Sequence, residues 1–183
     1  AGEQLLLLNG QTVEPSADTA LIADDRRALA LAGIMGGEES GIGDATSELF
    51  LESAFFAPDA VAGKARALGF SSDASYRFER GVDFASTREA LERATQLILE
   101  ICGGQAGPVT EAIDRRHLPK REAVRVRVPR AEKILGIRLG GEVAARLFRG
   151  LDFPFTQEGD TFIVTPPSHR FDIAIEEDLV EEL

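Results

Sequence analysis

The chain has one cysteine, one methionine, one tyrosine and no tryptophan. A lone thiol, Cys102, can close no disulfide and build no cysteine-based zinc site within the chain. It lies in an apolar helical pattern, which predicts a core residue over a reactive thiol. Basic residues are the minority, 20 Lys and Arg against 31 Asp and Glu, for a net charge of −11. Affinity for a long nucleic-acid backbone comes from cations neutralising phosphates, so this balance argues against broad duplex binding. It leaves room for a local pocket that holds a nucleic-acid end. No apolar run approaches the ~18 residues of a membrane span, and no signal-peptide pattern opens the chain. The expected setting is cytoplasmic, away from membranes.

What is present is an ordinary globular composition, 44% hydrophobic and 28% charged over 183 residues, enough for one or two domains with a sizeable core. The chain opens without Met and stops inside the helical pattern EEDLVEEL with no Gly, Asn or Pro stop signal, so both ends read as cuts in a longer polypeptide.

Asn9-Gly10 between Gln4–Leu8 and Gln11–Glu14 predicts a hairpin with a type I′ turn. Thr19–Ala23 and Ala28–Ala32, around Asp24-Asp25-Arg26-Arg27, predict a second hairpin with buried strands. Gly33, Gly36, Gly37, Gly41 and Gly43 mark either a mobile loop or a backbone that approaches a ligand or another backbone closely. They do not make a phosphate loop, which needs different glycine spacing and a Lys-Ser/Thr ending.

Leu49–Phe56 alternates with period two and predicts a strand, placing Glu52 on a face with Phe50, Ala54 and Phe56. Such a carboxylate either reaches solvent at a strand edge or is paired, hydrogen-bonded or shifted in pKa. Pro58 to about Leu68 predicts a helix closed by Gly69. Ser71–Gly81 starts as a loop too polar for a regular element and runs into Arg77, Glu79 and Arg80, a salt-bridge cluster. Phe84–Cys102 predicts a helix with Leu91, Ala94, Ile98 and Ile101 buried and Gly103-Gly104 as its stop. Val109–Ile113 predicts a strand, and the charged, Pro-containing stretch Arg115–Glu122 a domain boundary near residue 120.

Beyond it, Val124, Val126 and Val128 alternate with arginines as a half-buried strand. A helix from Pro129 to Gly136, a helix over Glu142–Leu151, a hairpin around Glu158-Gly159-Asp160 and a last helix from Ile175 follow. Short helices with a β-wing resemble winged-helix modules. On the last helix Asp178, Glu181 and Glu182 share a face, with Asp172 just upstream, while Ile175, Leu179, Val180 and Leu183 face the core. The acidic face is either solvated near a helix N-terminus or gathered around a hard cation such as Mg²⁺ or Ca²⁺.

The order LAGIMGGEESG, LFLESAFF, SSDASYRFERGVD, ICGG and PSHRFDIAIEEDLVEEL, consistently spaced over nearly the whole chain, resembles the β subunit of bacterial phenylalanyl-tRNA synthetase. The resemblance implies an α+β fold class. Residues 1–120 would be the C-terminal part of a mixed α/β sandwich editing module. Residues 121–183 would be a small winged-helix-like module likened to DNA-binding domains. It implies hydrolysis of tyrosine wrongly attached to the phenylalanine tRNA. An apolar pocket rejects an added hydroxyl only ~10²-fold, whereas a site built to hydrogen-bond that hydroxyl discriminates far better. Glu52 matches the glutamate that reads the hydroxyl, Gly36 a pocket glycine and Ala74 the small residue that leaves room for the ring. Ser72 stands where the family usually has Thr. No residue is implied as catalytic, since a positioned water and tRNA groups serve, and neither His117 nor His169 matches a catalytic histidine. An Arg and a His of the family pocket come from a preceding segment, so this pocket is expected to be partial.

Asp172, Asp178, Glu181 and Glu182 match a magnesium site shared with the α subunit. The partners implied are that subunit, in an (αβ)₂ tetramer, and the phenylalanine tRNA. ATP serves the parent ligase without binding to these residues. Two other readings stay open: a stand-alone trans-editing hydrolase and a non-catalytic nucleic-acid-binding module.

Overall fold

A computed structural model describes residues 2–183, which divide into two compact units, the first running to Leu118 and the second Pro119–Leu183. Both mix short helices with small antiparallel sheets, an α+β architecture.

In the first unit β1 (Leu5–Leu6) pairs with β2 (Thr12–Val13), shorter than the flanking pattern suggests. The turn between them is not type I′, because that turn needs positive φ at both central residues and Asp152 is the only non-glycine with positive φ among the described residues. Gly10 donates its N–H to the Leu7 carbonyl at 2.8 Å and takes the left-handed conformation itself, and Leu7 N–H then meets Gln11 O at 2.8 Å. This is a three-residue loop.

β3 (Leu21–Ala23), β4 (Ala28–Leu31) and β5 (Met35–Gly36) form a second sheet in chain order. The Asp24 carboxylate accepts the N–H groups of Arg26 and Arg27, both at 2.8 Å, closing the expected β3–β4 turn. Only β4 is a core strand. Leu31 is buried, while Leu21 on β3 is exposed, against the expectation of two buried strands. The glycine-rich stretch resolves as close backbone approach at Gly37. Its N–H bonds Leu29 O at 2.8 Å, and an added Cβ would stand 2.4 Å from that oxygen.

Leu49–Phe56 is not a strand. The residues of both sheets pair elsewhere, and no ladder reaches this stretch among the described residues. The single helix expected from Pro58 is two, α1 (Pro58–Val61) and α2 (Lys64–Ala67), because Gly63 between them is left-handed at φ 74°. Helix α3 (Asp73–Phe78) occupies what reads as loop in the sequence. Helix α4 (Thr87–Cys102) ends at Gly103 as expected, but buries no residue fully. Ile101 is 78% exposed and Cys102 is exposed, so neither is a core residue. Val109–Ile113 forms no strand, and a 3₁₀ turn covers Arg115–His117. The first core gathers Leu5, Leu7, Ala28, Leu31, Ile34, Val61 and Ala65, with Phe56, Phe70 and Phe78 packed against it.

In the second unit β6 (Val124–Arg127) pairs with β8 (Thr161–Val164), which pairs with β7 (Phe155–Glu158), all antiparallel. Helices α5 (Val128–Leu135), α6 (Gly141–Gly150) and α7 (Glu176–Glu181) complete it. Val124 and Val126 are buried and the arginines between them exposed, as period two requires. Phe148 of α6 is fully buried, with ring centroids of Phe153, Phe155 and Phe162 at 6.3, 6.0 and 5.5 Å. Leu179 and Val180 of α7 join this core, whereas Ile175, expected beside them, is 56% exposed.

Candidate functional site

A concavity of about 390 Å³ opens in the first unit. The β4–β5 segment supplies Gly33, Ile34, Met35 and Gly36; the irregular stretch supplies Glu52, Ser53, Ala54 and Phe56; α3 supplies Ala74 and Phe78. Three of the residues singled out from sequence, Gly36, Glu52 and Ala74, therefore line one space despite their separation in the chain. The apolar lining of Ile22, Ile34, Met35, Phe56 and Phe78 is absent from that prediction. Phe56 and Phe78 stack tilted at 5.2 Å between centroids. The available signal was spacing. Ala74 and Phe78 are four apart, so they share a face once the segment is helical.

Glu52 is exposed, and no donor meets its carboxylate among the described residues. Even so, desolvation by the surrounding chain pushes its pKa above the ordinary 4.5. The sequence reading of a lone carboxylate among apolar side chains describes this environment, although the segment is not a strand.

Ser72 is outside the lining and acts through its neighbours. Its backbone is extended (φ −135°, ψ 159°), and its Oγ accepts the Ser75 N–H at 3.0 Å as N-cap of α3. The buried Ser75 returns the contact, its Oγ accepting the Ser72 N–H at 3.0 Å. The Ser72 hydroxyl proton goes to Ile34 O at 2.5 Å, tying α3 to a wall residue of the concavity. Below it the expected charge cluster reduces to Arg80 with Glu79 at 2.7 Å, Arg80 lying 3.6 Å over the Tyr76 ring; Arg77 takes no ion pair among the described residues.

In the second unit the four acidic positions are not drawn together. The Arg170 guanidinium meets Asp172 (Nη2 to Oδ2, 2.6 Å) and also Glu182. The Asp178 carboxylate turns back to accept the Ala174 and Ile175 N–H groups at 2.8 and 2.9 Å, capping α7. Glu181 is exposed. No group of three or more His, Cys, Asp or Glu side chains is placed to hold a metal among the described residues. The donors as arranged do not fit a bound Mg²⁺, which needs near-octahedral oxygen ligation. His117 is exposed with Nδ1 3.0 Å from Asp114, and His169 is exposed. No helix is long and apolar enough to cross a membrane among the described residues.

Comparison with known proteins covers both units. The B3/4 domain family matches residues 1–103 and the tRNA synthetase B5 domain matches residues 124–183. Over all of its 183 residues the chain is 63% identical to the phenylalanine–tRNA ligase beta subunit of Aromatoleum aromaticum. Over 99% of its length it is 66% identical to that of Dechloromonas aromatica, and over all of it 56% identical to that of Chromobacterium violaceum. It spans only 22–23% of these curated relatives' own lengths.

Proposed function

The chain belongs to the B3/4 domain family, with a B5 domain following, and on that premise we propose that it forms part of a phenylalanine–tRNA ligase beta subunit and supplies one side of a hydrolytic editing pocket. The ligand is the tyrosyl group of a mischarged phenylalanine tRNA. What supports this is the shared concavity: a carboxylate on an otherwise largely apolar lining that includes Gly36 and Ala74, with Phe56 and Phe78 packed ring against ring in its wall.

Glu52 accepts the phenol O–H. Partial desolvation already raises its pKa, and a bound phenylalanyl ring would cover the carboxylate without offering it a donor. Ala74 keeps the ring's path open, and Gly36 lines it with backbone, a Cβ there being directed against Leu8. Phe56 and Phe78 give the ring an apolar bed. Water performs the hydrolysis, positioned in part by groups of the tRNA and by pocket residues outside this chain. The ligase reaction, with ATP and Mg²⁺, belongs to the parent (αβ)₂ enzyme in the cytoplasm and to its α subunit.

The test is deacylation by the full-length beta subunit assembled with its partner. Glu52→Ala is expected to lose preference for tyrosyl- over phenylalanyl-tRNA; retained preference removes Glu52 from the pocket. Ala74→Trp is expected to abolish editing and spare aminoacylation, because the indole fills the concavity and leaves the synthetic site untouched. The 183-residue chain alone is expected not to deacylate. Robust clearance by it would favour a trans-editing hydrolase instead.

A further inference from the structure

The acidic end of the second unit already holds a cation. We propose that Arg170, and not a divalent metal ion, is the resident counter-charge of Asp172 and Glu182, and that it pins the end of α7 to the connector preceding that helix. The geometry is a fork. Arg170 Nε lies 3.0 Å from Asp172 Oδ1 and Nη2 lies 2.6 Å from Asp172 Oδ2, two parallel contacts on one carboxylate. Nη2 also meets Glu182 Oε1, so a single guanidinium bridges residues ten apart, one before α7 and one at its C-terminal cap.

The arginine is held on its other side too. Its guanidinium carbon is 5.2 Å from the ring centroid of Phe153, itself 3% exposed in the core. The Arg170 side chain is 22% exposed and Glu182 20%, so this pair is largely shielded from competing water. Arg121, hydrogen-bonded through Nη2 to Ser168 O at 3.0 Å, adds positive potential at Asp172. Two cations thus face two carboxylates. A divalent ion arriving here would bring surplus charge and would have to break the fork and lift the guanidinium from Phe153. No third His, Cys, Asp or Glu completes a metal-holding group here among the described residues, and Asp178 turns one oxygen to two backbone N–H groups. A guanidinium suits this place better than an ammonium because only a planar fork serves two carboxylates and an aromatic face together.

The experiment is thermal unfolding of the full chain in EDTA, and in MgCl₂ at ionic strength matched with KCl, for wild type, Arg170→Gln, Glu182→Gln and the double variant. The wild-type midpoint is expected to be the same in both buffers. Arg170→Gln is expected to lower it by several degrees, and the double variant to cost less than the sum of the singles, because the two side chains share one interaction. A magnesium-specific rise in the wild type, a silent Arg170→Gln, or additive singles would each overturn the proposal. Should Arg170→Gln fail to fold, Arg170→Lys keeps the charge and loses the fork. Paired with Glu182→Gln, it reads the same coupling.

Discussion

Ser72 shows how one hydroxyl can shape a pocket it does not line. Its lone pair caps α3, and its proton holds Ile34 O, so the helix carrying Ala74 and Phe78 is registered against the strand segment carrying Gly36. Ser72→Ala removes both contacts, and loss of an N-cap alone costs about 1 kcal/mol. The midpoint of chemical denaturation should fall accordingly. Ser72→Thr keeps the hydroxyl and should restore it, provided the extra methyl is accommodated. A midpoint unchanged in the alanine variant would show that the cap is redundant. In the parent enzyme the same change should weaken tyrosyl clearance while Ser72→Thr rescues it. At this scale the residues themselves single out Glu52, a carboxylate among apolar neighbours, whereas Gly36 and Ala74 come only from the family resemblance; that the three line one concavity is what the fold adds. The aromatic and aliphatic walls were not legible, because Phe56 and Phe78 look like any core side chain until the fold brings them together. Ser72–Ser75 was misread as loop although hydroxyls three apart are an N-terminal helix signal, here with serine in the place usually held by Glu or Gln.

Elements whose register is set locally were legible, and those that need a partner were not. The β3–β4 hairpin, α4's glycine stop and the whole β6-to-α7 succession follow from turn chemistry and alternation. Leu49–Phe56 carries the alternation of a strand, yet alternation does not make a ladder without a neighbour. α4 has a helical stripe, yet a stripe buries nothing unless something packs on it. The α7 helix is tied to β6 by a contact that alternation cannot foretell. Glu176, on the helix, accepts from Arg127 Nη2 at 2.6 Å and from the Arg127 backbone N–H at 2.9 Å. The Arg127 hydrogen bonds hold the Glu176 pKa down, from 4.5 to about 2. A depressed folded-state value means the unfolded chain takes up this proton first. The contact therefore stabilises fully above pH 4.5 and fades as pH falls toward 2. Glu176→Gln should lower the melting midpoint at pH 6, and its difference from wild type should shrink steadily on acidification below about 4.5. A difference independent of pH would assign the effect to packing. In the same unit Phe148→Ala empties the centre of four rings and should cost about 3–5 kcal/mol, read as a lower denaturation midpoint.

At the scale of the whole chain, charge constrains how RNA can be held. A surplus of eleven negative charges repels a polyanion at long range. Several arginines are also engaged with acids of the same chain: Arg88 with Glu92 and Glu111, Arg127 and Arg130 with Glu176, Arg170 with Asp172 and Glu182. These contacts neutralise part of the positive charge that could otherwise release counterions from a phosphate backbone. The proposed editing role needs no such grip, since the concavity would take only an aminoacyl group at a nucleic-acid end, with recognition resting on ring shape and one hydroxyl. The two modes separate in a salt titration. Binding of the chain to unacylated tRNA or to random duplex, followed by fluorescence anisotropy between 50 and 200 mM KCl, should be weak with a shallow log–log slope, about one to two rather than the six to ten of a phosphate-gripping protein. Tight binding with a steep slope would instead identify a backbone-reading surface and move the weight of the functional reading to the second unit.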